Sequence, residues 1–416
     1  MNRAECLALD LNDPLAFARA RFSLPANTIY LDGNSLGAMP KAAPAVLQAV
    51  VAQQWGNDLI RSWNTHGWVG LPQRVGGKIA ALLGAQENEI VAADSTSANL
   101  FKLLCGWIQL IQLSGETARR FIVCERSNFP TDVYIAEGVT ALFGNRFELK
   151  FVESIPALGA SIDATTAIVM LTQVDYRSGL LHDMVALNAQ AQAAGTIVLW
   201  DLAHSAGAVP ISLNADGAKL AVGCGYKYLN GGPGAPAFAY IAQELHAQFP
   251  VAIQGWFAHG KPFAFADKFV PATDAKRLLC GTPPVLSMAA LDCGVDTFAG
   301  VDIKMVRAKS IALSNLFLQR MEPLCRAHNF TLFSPLDPAS RGSHLSYAHE
   351  HGYAIMQALI ARGVIGDFRE PNLLRFGLTP LYTGFSDIFD AIGILESIMI
   401  NREYAAPQFN ARAVVP

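Results

Sequence analysis

Short apolar, β-prone runs alternate with alanine-rich helical stretches along most of this chain, and few folds accommodate that alternation. The runs fall at residues 89–93, 120–124, 148–152, 167–172, 196–200, 220–224 and 237–241, with helical periodicity between them at 99–111 and 184–194. Runs that are apolar throughout, rather than at every second residue, suit strands buried on both faces. Helical connections between such strands require a mostly parallel sheet covered on both sides. The expected fold class is therefore α/β. Ligands of such sheets sit at the carboxyl ends of the strands. That rule places Ser95-Thr96-Ser97, Ser127-Asn128-Phe129-Pro130-Thr131-Asp132, Thr172, Asp201-Leu202-Ala203-His204 and Tyr226-Lys227 on one rim.

Past Gly300 the pattern changes. Residues 301–327 read as one long amphipathic helix, followed by strands at 330–333, 343–347 and 373–377 and helices at 353–362 and 386–400. This predicts a smaller α+β C-terminal domain. The expected division is an N-terminal segment at 1–59 packing across the domain junction, a large α/β domain at 60–300 and the small domain at 301–416. A chain of 416 residues can bury a large core, and its 52% hydrophobic content comes in strand-length runs, not membrane spans. The N-terminus shows neither a signal nor a transit pattern, so a cytoplasmic protein is expected.

A net charge of −3 with scattered charges gives no footprint for nucleic acid, and small molecules or copies of the same chain are the expected partners. The seven cysteines are too dispersed for a disulfide framework and include no Cys-x-x-Cys pair. His349-Glu350-His351 lacks the i, i+4 spacing of a helical metal pair, and no metal is expected.

Two residues on the rim carry specific chemistry. Asp201 ends a buried strand, and after one expected helix Lys227 lies on an aromatic, glycine-rich turn, Gly223-Cys224-Gly225-Tyr226-Lys227-Tyr228-Leu229-Asn230-Gly231-Gly232-Pro233-Gly234. Alone, the aspartate reads as a helix cap and the lysine as a solvated surface residue. Their spacing and neighbours point instead to pyridoxal 5'-phosphate (PLP) chemistry. The lysine amine would condense with the cofactor aldehyde, and the carboxylate would keep the pyridine nitrogen protonated. Ser97 and Ala98 sit where a strand feeds a helix N-terminus, a place that suits a phosphate as well as an ordinary cap.

Together with Leu31-Asp32-Gly33-Asn34-Ser35-Leu36-Gly37, Trp200-Asp201-Leu202-Ala203-His204-Ser205-Ala206-Gly207 and Arg375-Phe376-Gly377, the Asn-Phe-Pro-Thr-Asp and Tyr-Lys-Tyr-Leu-Asn-Gly-Gly-Pro-Gly strings resemble the bacterial kynureninases almost end to end. The Asp-x-Ala-His and lysine pattern alone would indicate only the wider aminotransferase class V group. The resemblance implies the PLP-dependent transferase fold type I and hydrolysis of L-kynurenine to anthranilate and L-alanine, in tryptophan degradation. It also implies a homodimer with shared active sites.

Residue by residue, the resemblance makes Lys227 the cofactor-bearing lysine and proton carrier, and Asp201 the partner of the ring nitrogen. His204 would lie beside the cofactor, with Phe129 stacked on its ring and Pro130, Thr131 and Asp132 at the same strand end. Tyr226, Ser97 and Ala98 would meet the phosphate, and Tyr226 is a second candidate for proton transfer. Trp256 and Thr282 would reach the phosphate from the neighbouring subunit. Arg375 would bind the substrate α-carboxylate, for which its planar fork is suited. The rival within PLP chemistry, a cysteine desulfurase or selenocysteine lyase, needs a nucleophilic cysteine on a mobile loop, and neither Cys280 nor Cys325 fits. A non-catalytic relative of the fold is the other rival, against which Lys227, Asp201 and Arg375 stand together. The motifs do not separate kynurenine from its 3-hydroxy derivative.

Overall fold

The structure is a computed structural model describing residues 1–144 and 146–412. Its main sheet has seven strands, β1 (Ile90–Ala92), β2 (Phe121–Glu125), β3 (Glu148–Val152), β4 (Thr166–Thr172), β5 (Val198–Asp201), β6 (Leu220–Gly223) and β7 (Phe238–Ile241). They are ordered β1-β7-β6-β5-β4-β2-β3. Every pairing from β6 through β3 is parallel, as expected, but turns rather than the expected helix connect β5 to β6. Only β7 runs antiparallel, to both β6 and β1.

Alternation along single strands explains why the sheet is buried on both faces. On β4, Val169 and Leu171 join one core cluster with Val123, Val198 and Ala221. Their neighbours Ile168 and Met170 join a second cluster with Ile122, Cys124, Leu199 and Val222. Successive side chains of a strand point to opposite faces, so the sheet itself is the partition between the two cores. Helices α1 (Thr96–Leu113), α2 (Pro130–Leu142) and α3 (Met184–Ala193) connect strands and cover these faces. The start of α1 is capped by Ser95, whose side chain accepts from the Ala98 amide at 3.2 Å.

The smaller C-terminal domain opens with the 26-residue helix α4 (Ile303–His328). An antiparallel sheet follows, of β8 (Thr331–Leu332), β9 (His344–Ala348), β10 (Asp367–Arg369) and β11 (Leu373–Gly377), ordered β10-β11-β9-β8. Helices α5 (Gly352–Ala361) and α6 (Phe385–Ile400) pack on it around a third core that includes Phe317, Leu345, Phe376 and Ile392. Strand β10 was not anticipated from the sequence. The N-terminal residues bind to both units. Asp10 caps α6 by accepting from the Phe385 and Ser386 amides at 2.6 and 3.0 Å, and Ile29–Tyr30 pairs in parallel with Val364–Ile365. Further along, the Gly37 amide donates to the Tyr226 carbonyl at 2.8 Å, beside Lys227. A Cβ at Gly37 would run into the Lys227 carbonyl and Asn230, so this close approach requires glycine.

Candidate active site

A cavity of about 270 Å³ opens at the carboxyl ends of the parallel strands. The ends of β1, β2, β4, β5 and β6 each bring a segment to it, and Ser97, Phe129, Thr131, Asp132, Thr172, Asp201, His204, Tyr226 and Lys227 all line its wall. These residues are spread from 97 to 227 in the chain, and sheet topology alone gathers them.

Lys227 Nζ lies 3.0 Å from His204 Nε2, 6.0 Å from the centre of the Phe129 ring and 5.8 Å from that of Tyr226. Phe129 is partly exposed over the cavity, and Tyr176 meets it edge-on at 5.1 Å. Asp201 is 4% exposed, and its Oδ1 accepts from the Ala203 amide at 2.8 Å. Burial, opposed by Lys227, raises its carboxyl above the ordinary range. Asp132, 1% exposed, is pushed well above that range by burial and by the facing Asp201. Burial, reinforced by Lys227 and Arg375, holds the His204 imidazole neutral by lowering its pKa well below the usual value.

Several buried polar atoms here have no protein partner, namely Asp132 Oδ2, His204 Nδ1 and Asn128 Nδ2. Such orphans are costly unless a ligand satisfies them. Two facing buried carboxyls call for a cation or a proton donor, and a protonated pyridine nitrogen is one. Across the cavity, Ser95, Thr96 and Ser97 start the 18-residue helix α1, whose first amides and dipole favour an anion. A flat aromatic ring, a primary amine, paired carboxyls and an anion cradle together fit PLP.

Other expected residues lie outside this cavity wall. Pro130 occupies the first turn of α2, where its fixed φ suits a helix start. The Ala98 amide is taken up by the Ser95 cap. Trp256, 37% exposed, packs with Phe257, Phe263 and Phe265, and Thr282 is exposed on a separate loop. Arg375 is buried on β11 next to the cavity, reaching Tyr176, one of its wall residues, by donating from Nη1 to the carbonyl at 2.6 Å. Sequence reasoning did not single out Tyr176 and Cys224 of the wall, nor Ser35, Asp367 and Arg369 around Arg375. Tyr176, four residues beyond the β4 terminus, could have been found by the strand-end rule.

The chain is similar to known proteins along nearly its whole length. Residues 306–395 match the family model of the kynureninase C-terminal domain. A kynureninase from Pseudomonas fluorescens is 50% identical over 99% of this chain and 98% of its own length. One from Burkholderia pseudomallei is 49% identical over 99% of each. Among solved structures, a cysteine desulfurase from Thermococcus onnurineus superposes with a TM-score of 0.75 at 17% identity, covering 93% of this chain and 98% of that one. A cystine lyase variant with glycine covalently linked to its PLP cofactor gives 0.73 at 17% identity, covering 91% and 99%. These likenesses bear out the expected fold type I architecture. Near 50% identity across almost the whole length settles the narrower question, and the chain belongs to the kynureninase family.

Proposed function

We propose that this protein is a PLP-dependent kynureninase, hydrolysing the Cβ–Cγ bond of L-kynurenine to give anthranilate and L-alanine. The observation that carries the reading is the convergence of Lys227, Asp201, His204 and Phe129 on one cavity in a chain so similar to named kynureninases. When bound, the cofactor supplies an electron sink for the carbanionic character that develops on the substrate.

The chain's own groups do the rest. Lys227 would hold the cofactor, and its amine, when free, would take the proton from the substrate Cα. Asp201, with Asp132 facing it, would keep the ring nitrogen protonated. His204, neutral by burial, orients the Lys227 amine through the 3.0 Å contact. Phe129 covers the ring and excludes water from that face. Ser97, Thr131 and the α1 N-terminus take the phosphate, with Ala98 behind the cap. The Tyr226 hydroxyl stays protonated because burial raises its pKa, so it can donate a proton to the departing Cβ. Water adds its oxygen to the γ-carbonyl carbon, which leaves as the anthranilate carboxylate, and Cβ takes a proton to become the alanine methyl. Arg375 receives the α-carboxylate.

The same reading includes a cytoplasmic homodimer divided near residues 59 and 300, in which Trp256 and Thr282 of each chain serve the other chain's phosphate site. Among the described residues no helix is long and apolar enough to cross a membrane. The desulfurase alternative is less supported. Cys280 lies against Asp94 at 3.4 Å, with its thiol raised chiefly by burial, and Cys325 is on α4. Cys224 reaches the cavity wall, but burial raises its thiol too, whereas a nucleophilic cysteine needs a lowered pKa. The test is to incubate the PLP-loaded protein with L-kynurenine and follow anthranilate fluorescence. Product at a turnover typical of enzymes supports the reading; bound PLP with no anthranilate overturns it.

A further inference from the structure

Arg375 and Asp367 are directly opposite each other on the antiparallel strands β11 and β10, so register alone brings them together. Both are buried, Arg375 at 1% and Asp367 at 5% exposure. Arg375 Nε donates to Asp367 Oδ1 at 2.8 Å, and Nη2 closes the second bond to Oδ2. The other contacts of the fork are Nη2 to Ser35 Oγ at 3.0 Å and Nη1 to the Tyr176 carbonyl at 2.6 Å. A guanidinium has five N–H donors. One goes from Nε, two from Nη2 and one from Nη1, which leaves a single Nη1 hydrogen without an acceptor.

In this arrangement a carboxylate could take only one bond from Arg375. Two parallel bonds from Nη1 and Nη2, the geometry that makes arginine a good carboxylate receptor, become available when Ser35 yields its place. Ser35 has two other partners, because its hydroxyl also donates to Asp367 Oδ2 at 2.9 Å and accepts from Arg369 Nη2 at 3.5 Å. Asp367 cannot yield: its oxygens also hold Arg369, whose Nη2 lies 2.8 Å from Oδ2. Burial opposes ionisation of Asp367, yet Arg375 and Arg369 hold its carboxyl below the usual range. Asp32 is a second carboxyl beside these two guanidinium groups, pushed up to about 7 by burial and by Asp367, and while it is protonated the cluster keeps a positive charge for a second anion.

We infer that Asp367 is a positioning residue for substrate binding, clamping the far edge of Arg375 so that its near edge faces the cavity, and that the Ser35 hydroxyl holds the place the substrate carboxylate takes. This rests on the kynureninase reading above. It is tested with PLP-loaded Asp367→Asn, Asp367→Glu and Ser35→Ala by measuring kcat and KM for L-kynurenine. L-alanine titrated against the visible band of bound PLP gives a second, turnover-free readout.

Asp367→Asn should raise KM and the L-alanine dissociation constant together by about tenfold or more, with kcat within about threefold. Asp367→Glu should recover part of that affinity, and Ser35→Ala should bind both ligands as well as the parent or better. Unchanged affinity in Asp367→Asn overturns the proposal, as does a loss in Ser35→Ala matching it. If Asp367→Asn does not fold, Asp367→Glu carries the test, and affinity equal to the parent's again overturns it. A parent protein that binds L-alanine but makes no anthranilate would sink the kynureninase reading while leaving the L-alanine arm able to decide this one.

Discussion

At the strand ends of the large unit, Asp132 and Asp201 face one another with Asp132 Oδ2 lacking any donor. Around Arg375, by contrast, acceptors from Asp367, Ser35 and Tyr176 take up four of five donors before any ligand arrives. The first region has two facing buried carboxyls and an unmet acceptor, and in the proposed function a resident group completes it. The second has nearly all its donors satisfied and, on the inference above, would work by exchange, giving up the 3.0 Å Ser35 contact for a substrate that comes and goes. A cofactor that stays is best served by strong unmet demand, whereas a substrate that must leave as product is better served by a site with its own stand-in.

The largest expected effect strikes the cofactor side. Lys227→Ala should lower anthranilate formation by about a thousandfold or more, since both attachment and proton transfer use that amine. The assay is anthranilate fluorescence on protein reconstituted with PLP, and near-parental activity would refute the assignment.

The next two substitutions should move stability in opposite directions. Arg375→Gln leaves the buried Asp367 carboxylate with Arg369 as its single cation and should cost about 3–5 kcal/mol. Asp132→Asn removes one of two facing carboxyls and should stabilise the cofactor-stripped protein by roughly 1 kcal/mol. Denaturant melts of both variants without PLP provide the check; equal signs would abolish the contrast drawn here.

A subtler effect concerns Asp32, whose carboxyl is pushed up to about 7 by burial and then by Asp367. Its surroundings include Ser35, Arg375 and Arg369 as well. A carboxyl raised in the folded state binds its proton more tightly there than in the unfolded chain, so its contribution to stability falls as pH rises from about 4 to about 7 and then levels off. Asp32→Asn should therefore raise the melting temperature by a few degrees at pH 8, with the gain shrinking toward pH 4. Melting curves at the two pH values decide it, and a pH-independent difference would exclude this role for Asp32.

The sheet was readable because strands buried on both faces leave continuous Val, Ile and Leu runs, and the cavity wall followed because topology puts strand ends on one rim. Where β-prone or flexible residues serve a helix, the pattern was obscured. Helix α2 carries Val133, Tyr134, Ile135 and Val139. The helix Leu71–Leu82 contains Gly76, at which a Cβ would collide with Ile90 and Val91 of β1, so a helix-breaking residue marks close packing there. The antiparallel direction of β7 depends on a connection of irregular turns rather than a crossover helix, which hydrophobic pattern does not report. Ser35 and Asp367 were hidden for a different reason. They lie more than 300 residues apart, and only the pairing of β10 with β11 and the path of the N-terminal loop bring them to Arg375.

In the proposed function one amine, that of Lys227 on the turn after β6, holds the cofactor. Reduction of the PLP-loaded protein with borohydride followed by peptide mass mapping tests it directly. A phosphopyridoxyl mass is expected on the peptide containing Lys227; the same mass fixed on any other lysine, with Lys227 unmodified, would rule out that attachment.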